Sequence, residues 1–149
     1  MALHSHVRIY VHLVWGTYKH ERILVPEIGV KLFHHLVERA NELQVTIEKM
    51  NIQPEHVHIL SILPADKPIS EIPKNLKGES SHWLNQQGFY RTHFEWQRGY
   101  GAFSVSASQV DTVKHYIENQ DEHHQHKTFS EEYQEWAQKY GVWHDDDEI

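Results

Sequence analysis

The chain has no cysteine among its 149 residues, which removes disulfide frameworks, thiolate metal sites and cysteine nucleophiles together. Any metal it binds must therefore rest on histidine, carboxylate or amide ligands. Long apolar runs are also missing. The stretch Ile59 to Leu63 falls far short of the roughly 20 residues that a spanning helix needs, and the N-terminus lacks the basic-then-apolar layout of a secretion signal. A soluble intracellular chain is expected. There is no His-Glu-x-x-His, no Gly-x-Ser-x-Gly and no phosphate-cradling GxxxxGK[ST], so zincin, serine-hydrolase and P-loop chemistry find no support. The Lys/Arg-Gly-aromatic-Gly/Ala-aromatic string of sheet-based RNA binders is absent as well.

A basic excess is another thing the chain lacks, since its formal net charge is −7. The charge is unevenly placed. Residues 1–110 carry 11 Lys and Arg against 10 Asp and Glu, whereas residues 111–149 carry 3 against 11. The acidity thus sits in the last quarter, with an acidic tail over about 141–149 that reads as a solvated end. It counts against strong nonspecific binding to nucleic acid, because phosphate contacts supply most of that affinity.

What is present is one domain's worth of chain, 1–149, with 39% hydrophobic content and no linker or repeat. Val7, Ile9, Val11, Leu13 and Trp15 alternate with Arg8, Tyr10, His12 and Val14, which predicts a half-buried strand over 6–16. From Pro26, the apolar positions Ile28, Leu32, Leu36, Val37 and Ala40 recur at helical spacing to about Leu43. Segments around Val45-Ile47-Lys49 and Val57-Ile59-Ser61 read as two strands joined by a turn at Asn51-Ile52-Gln53-Pro54. Ser70 opens a second helix with a stripe of Ile72, Leu76, Ser80 and Trp83, ended by Gly88. Phe94 to Ser106 suggests a strand or strand pair bent at Gly99 and Gly101. Ser108 is a suitable N-cap for a third helix with Val110, Val113, Ile117 and Gln120 on one face, and an amphipathic helix over about Ser130 to Tyr140 carries Tyr133, Trp136 and Ala137. The order β-α-β-β-α-β-α with a trailing helix predicts an α+β fold, a ferredoxin-like or RNA-recognition-like sandwich with one antiparallel sheet and helices on one face.

Within Glu55-His56-Val57-His58-Ile59-Leu60 the two histidines are separated by one residue in a strand, so both imidazoles leave the same face and could hold a metal. The spacing alone is weak, because His4-Ser5-His6 and His124-Gln125-His126 repeat it in polar settings where exposed histidine is the default. His56 and His58 differ in lying between apolar runs, where an unpaired imidazole is costly. Tyr116 and Gln120 stand four apart on the third helix and so share a face.

The string Pro54-Glu55-His56-Val57-His58-Ile59-Leu60, followed by Asn75-Leu76-Lys77-Gly78-Glu79-Ser80-Ser81, Trp96-Gln97-Arg98-Gly99-Tyr100 and Tyr116-Ile117-Glu118-Asn119-Gln120, resembles the single-tyrosine HUH transposases of the insertion-sequence 200/605 type. The likeness starts at His12-Leu13-Val14-Trp15 and runs to about Gln125. Several ordered motifs are far more specific than any one of them. The resemblance implies Tyr116 as nucleophile, a C-terminal helix carrying that tyrosine, His56 and His58 with Gln120 as ligands, and Mg2+ or Mn2+ as the ion. It implies single-stranded DNA with hairpin ends as substrate, a homodimer, and a cytoplasmic, nucleoid-associated protein of a prokaryote. Lys74, Lys77, Arg91 and Arg98 are the basic candidates for DNA contact. His115, His123 and His124 lie near the tyrosine in sequence, with surface histidine as the default for each. A domesticated relative that binds structured single strands without cutting is the alternative, motivated by the acidic balance.

Overall fold

The computed structural model describes residues 5–123 and 127–139. His4, the triplet from His124 to His126 and the acidic tail over 141–149 lie outside the described residues, as do the side chains of His123, Trp136 and Ala137. The elements are β1 (Tyr10–Gly16), α1 (Pro26–Glu42), β2 (Thr46–Gln53), β3 (His56–Ile62), α2 (Glu71–Gln86), β4 (Gly101–Val105), α3 (Val110–Glu118), α4 (Gln120–His123) and α5 (Phe129–Lys139). They form an α+β fold around a four-stranded antiparallel sheet in the order β2-β3-β1-β4, the ferredoxin-like arrangement.

Each helix forms where its apolar spacing can be buried. α1 starts with Pro26 in its first turn, where a missing N–H costs nothing, and buries Gly29, Leu32, Leu36 and Ala40 at three- and four-residue intervals. α2 buries Ile72, Leu76, Ser80 and Leu84. These two helices cover one face of the sheet, where Val11, Leu13, Trp15, Val57 and Ile59 complete the main core. On the other face, Leu60 and Val105 pack against Val110, Val113 and Ile117 of α3, and Val14 and Phe103 pack against Phe129 and Tyr133 of α5. Burying the apolar stripes of both helix layers is the main driving term for this arrangement.

Several sequence expectations shift. β1 is not half-buried: Val11 to Gly16 are buried on both sides, because α3 and α5 cover the second face, and Val7 and Ile9 are exposed ahead of the strand. The expected turn at Asn51 to Pro54 is later and tighter, since Asn51, Ile52 and Gln53 pair with His58, Val57 and His56 and only Pro54 and Glu55 lie between the strands. The Phe94 to Ser106 segment yields one strand and an isolated bridge from Trp96 to Thr17, with Gly99 at φ 82 turning the chain between them. Ser108 caps nothing, as it sits inside a short 3₁₀ turn ahead of α3.

Candidate metal centre and tyrosine

The strand period sends His56 and His58 to the α3 side of the sheet, beside His12 on β1 and Asn51 and Gln53 on β2. Asn51 Nδ2 donates to the Ile117 carbonyl (2.9 Å) and Gln53 Nε2 to Asp121 Oδ1 (2.8 Å), while Lys49 pairs with Glu118. These contacts lay α3 and the start of α4 over the histidines. The third helix is not continuous: it breaks after Glu118, with Asn119 at φ −96 and ψ 24, and Gln120 opens α4. The break delivers Gln120, fully buried, with its Oε1 3.1 Å from His56 Nε2. Tyr116 is half-buried on α3, its ring centroid 5.9 Å from that of His58 and 6.4 Å from that of His12. The structure thus brings His56, His58, Gln120 and Tyr116 into one cluster.

Both imidazoles are held by their Nδ1 atoms. His56 Nδ1 lies 2.7 Å from Glu55 Oε1, and the other oxygen of that buried carboxylate pairs with Arg22. His58 Nδ1 lies 2.8 Å from His12 Nε2. Each ring therefore turns Nε2 into the cluster, as a metal-ligating histidine does when its other nitrogen is fixed. Burial lowers the His56 pKa from 6.5 to about 4 despite the raising effect of Glu55, and burial with the neighbouring His58 holds His12 well below the usual histidine range. Neutral imidazole is the form that can donate a lone pair to a cation.

Glu132 of α5 was not singled out by any sequence motif. Its carboxylate is buried, with Oε1 2.9 Å from His58 Nε2 and 3.2 Å from Gln120 Nε2. The contact to His58 is at ion-pair distance but not in hydrogen-bond alignment. One ligand atom from each of His56, His58 and Glu132 lies within 4.8 Å of the others. Two imidazole nitrogens, an amide oxygen and a carboxylate are a donor set that fits a divalent cation, and oxygen donors suit magnesium or manganese.

The basic candidates lie elsewhere. Lys74, Arg91 and Arg98 are exposed. Lys77 is partly buried and donates to the Gln97 and Gly99 carbonyls (2.7 and 2.6 Å), and burial lowers its pKa to about 8. Lys77 and Arg98 line a groove of about 620 Å³ with Tyr18, His93 and Trp96. A larger groove, about 810 Å³, runs past Arg22, Phe33, Asn51, Gln53 and Asp121, and neither His56 nor His58 lines it. His115 is exposed and sits 3.7 Å from Glu118. Among the described residues, no helix is long and apolar enough to cross a membrane.

An antiparallel sheet that presents a His-x-His pair under a helix bearing a tyrosine defines an α+β domain with a candidate metal centre. The model of the IS200-like transposases matches residues 5–120. The chain belongs to that family, which places it among proteins of DNA transposition and recombination that bind DNA. It is 25% identical over 115 residues to the ISDra2 transposase TnpA of Deinococcus radiodurans, covering 73% of this chain and 81% of that protein. Two solved structures share the fold. One is a crystal structure described as a transposase of Deinococcus radiodurans R1, with a TM-score of 0.64 at 24% identity over 78% of this chain and 94% of that one. The other is a REP-associated tyrosine transposase bound to a REP hairpin, with a TM-score of 0.62 at 15% identity over 83% and 74%.

Proposed function

We propose that residues 1–149 act as one HUH domain that cleaves and rejoins single-stranded DNA through a 5′-phosphotyrosine on Tyr116, with His56, His58 and Gln120 as ligands of a magnesium or manganese ion. The observation that carries this reading is one buried cluster in which Gln120 Oε1 lies 3.1 Å from His56 Nε2 and the His58 ring lies 5.9 Å from the Tyr116 ring. A phosphodiester resists attack because its oxygens are negative, and a bound divalent ion supplies the neutralising charge.

The chain's own residues supply the rest. The Tyr116 hydroxyl loses its proton and its oxygen bonds to phosphorus, while the bond from phosphorus to the 3′ oxygen breaks and that oxygen leaves as a 3′-hydroxyl. The phosphotyrosine conserves the bond, so a different 3′-hydroxyl can attack it later, restore the tyrosine and join new ends. Glu55 and His12 hold the ligand rings in place throughout. Hairpin ends are the proposed substrate feature, as with the hairpin-bound structural relative, and Lys74, Lys77, Arg91 and Arg98 are the proposed backbone contacts. A homodimer in the cytoplasm of a prokaryote, close to the nucleoid, completes the reading.

A second reading, a relative that binds structured single strands without cutting, has one observation in its favour beyond the net charge of −7. His56, His58 and Gln120 are at most 2% exposed and Glu132 of α5 is 3% exposed, so the centre is closed to a phosphate in this structure. Incubating hairpin-ended single strands with the protein and manganese separates the two. The first reading expects cleavage that Tyr116→Phe abolishes while gel-shift binding persists. Binding by the wild type with no cleavage at any manganese concentration supports the second.

A further inference from the structure

Glu132 belongs to none of the motifs that identify the centre, yet it sits inside it. We propose that Glu132 is a ligand of the same metal ion, so that the protein offers two imidazole nitrogens, one amide oxygen and one carboxylate. This rests on the proposed metal-binding role of His56, His58 and Gln120.

The placement of Glu132 is built, not incidental. α5 is anchored on both sides of it. Phe129 stacks on the His56 ring at 4.2 Å and 10°, and Tyr133 packs against Phe103 with ring centroids 6.2 Å apart. Two glycines make room for these anchors. A Cβ on Gly16 would lie 2.8 Å from Phe129 Cε2, and one on Gly101 would lie 2.9 Å from Tyr133 Cε2. Between the anchors the carboxylate points inward, 3% exposed, toward His58 Nε2 and Gln120 Nε2.

Taking a carboxylate this far from water is costly, and a divalent ion at the centre would offset that cost. The 2.9 Å approach to His58 Nε2 lacks hydrogen-bond alignment, as expected of two donors that face a common ion instead of each other. Ligands about 2.1 Å from one ion stand roughly 3–4 Å apart, and the ligand atoms of His56, His58 and Glu132 already lie within 4.8 Å of one another. The carboxylate also decides which ion the centre prefers. Two imidazoles alone favour zinc or copper, whereas a carboxylate and an amide oxygen draw the site toward magnesium and manganese.

The test is calorimetric titration of manganese chloride, and separately zinc chloride, into the metal-free full chain of the wild type, Glu132→Gln and His58→Ala. Glu132→Gln is expected to bind manganese more weakly by over about tenfold, with a smaller loss for zinc. Manganese binding by Glu132→Gln equal to the wild type overturns the proposal and leaves Glu132 as an acceptor that orients Gln120. If His58→Ala also binds as the wild type does, the underlying metal reading fails, which is a separate result. A manganese-soaked crystal of the wild type decides the matter without a variant: a Glu132 oxygen about 2.2 Å from the ion is expected, and one beyond about 3.5 Å overturns it.

Discussion

Acid should destabilise the metal-free protein through His56 in a window that its burial defines. His56 is fully buried and neutral, with its pKa lowered from 6.5 to about 4 chiefly by desolvation. The unfolded chain takes up a proton below pH 6.5, while the fold resists it until about pH 4. Stability from keeping this ring neutral is therefore fully present above 6.5, falls as pH drops, and falls no further below about 4. At about 1.4 kcal/mol per pH unit the whole window is worth about 3 kcal/mol, and roughly 2 kcal/mol of it is lost between pH 7 and pH 5. His12, also lowered by burial, acts in the same direction, so a comparison must isolate His56. Urea unfolding in the presence of a chelator at pH 7 and pH 5 should give the wild type about 2 kcal/mol more pH-dependent loss than His56→Asn. Equal losses in the two proteins would refute the neutral buried imidazole, and with it the ring's readiness to bind a cation.

Other perturbations bear on the supports of the centre. Glu55→Leu leaves His56 Nδ1 buried without its acceptor, and should cost about 1–3 kcal/mol in urea unfolding and about 10–100-fold in manganese affinity. Glu55→Gln, whose amide oxygen can still accept, should recover most of both. Ile117→Ala removes a fully buried side chain between α3 and the sheet, and should lower stability by about 2–5 kcal/mol and reduce cleavage by displacing Tyr116 and Gln120. Gly101→Ala places a methyl group 2.8–2.9 Å from Val14, Phe103 and Tyr133, and should speed hydrogen exchange across α5 with little change in α1. Arg98→Gln should reduce the salt slope of hairpin binding by about one, as loss of a phosphate contact does.

Periodicity carried most of the fold. The two helices over the main core follow directly from Leu32, Leu36 and Ala40 in α1 and Ile72 and Leu76 in α2, because burying those stripes decides where the helices lie. The shared face of His56 and His58 follows equally from the strand repeat. What periodicity misses is contact between distant segments. Glu132 looks like any glutamate near the start of an amphipathic helix, and only the packing of Phe129 and Tyr133 brings it to His58. His12 occupies the expected polar face of a half-buried strand, and its bond to His58 depends on a register linking residues 46 apart in sequence. The i,i+4 relation of Tyr116 and Gln120 assumed one helix, whereas the break at Asn119 sets where Gln120 points. Local pattern held no signal for that break, which comes with the anchoring of Ile117 and Asp121 by Asn51 and Gln53.

Peptide mapping of the covalent product tests the central claim most directly. After reaction with hairpin-ended single-stranded DNA and manganese, nuclease trimming and trypsin digestion, mass spectrometry should find a residual nucleotide on the peptide from His115 to Lys127, whose only tyrosine is Tyr116. A nucleotide on any other peptide, or cleaved DNA with no protein attached, would contradict the account.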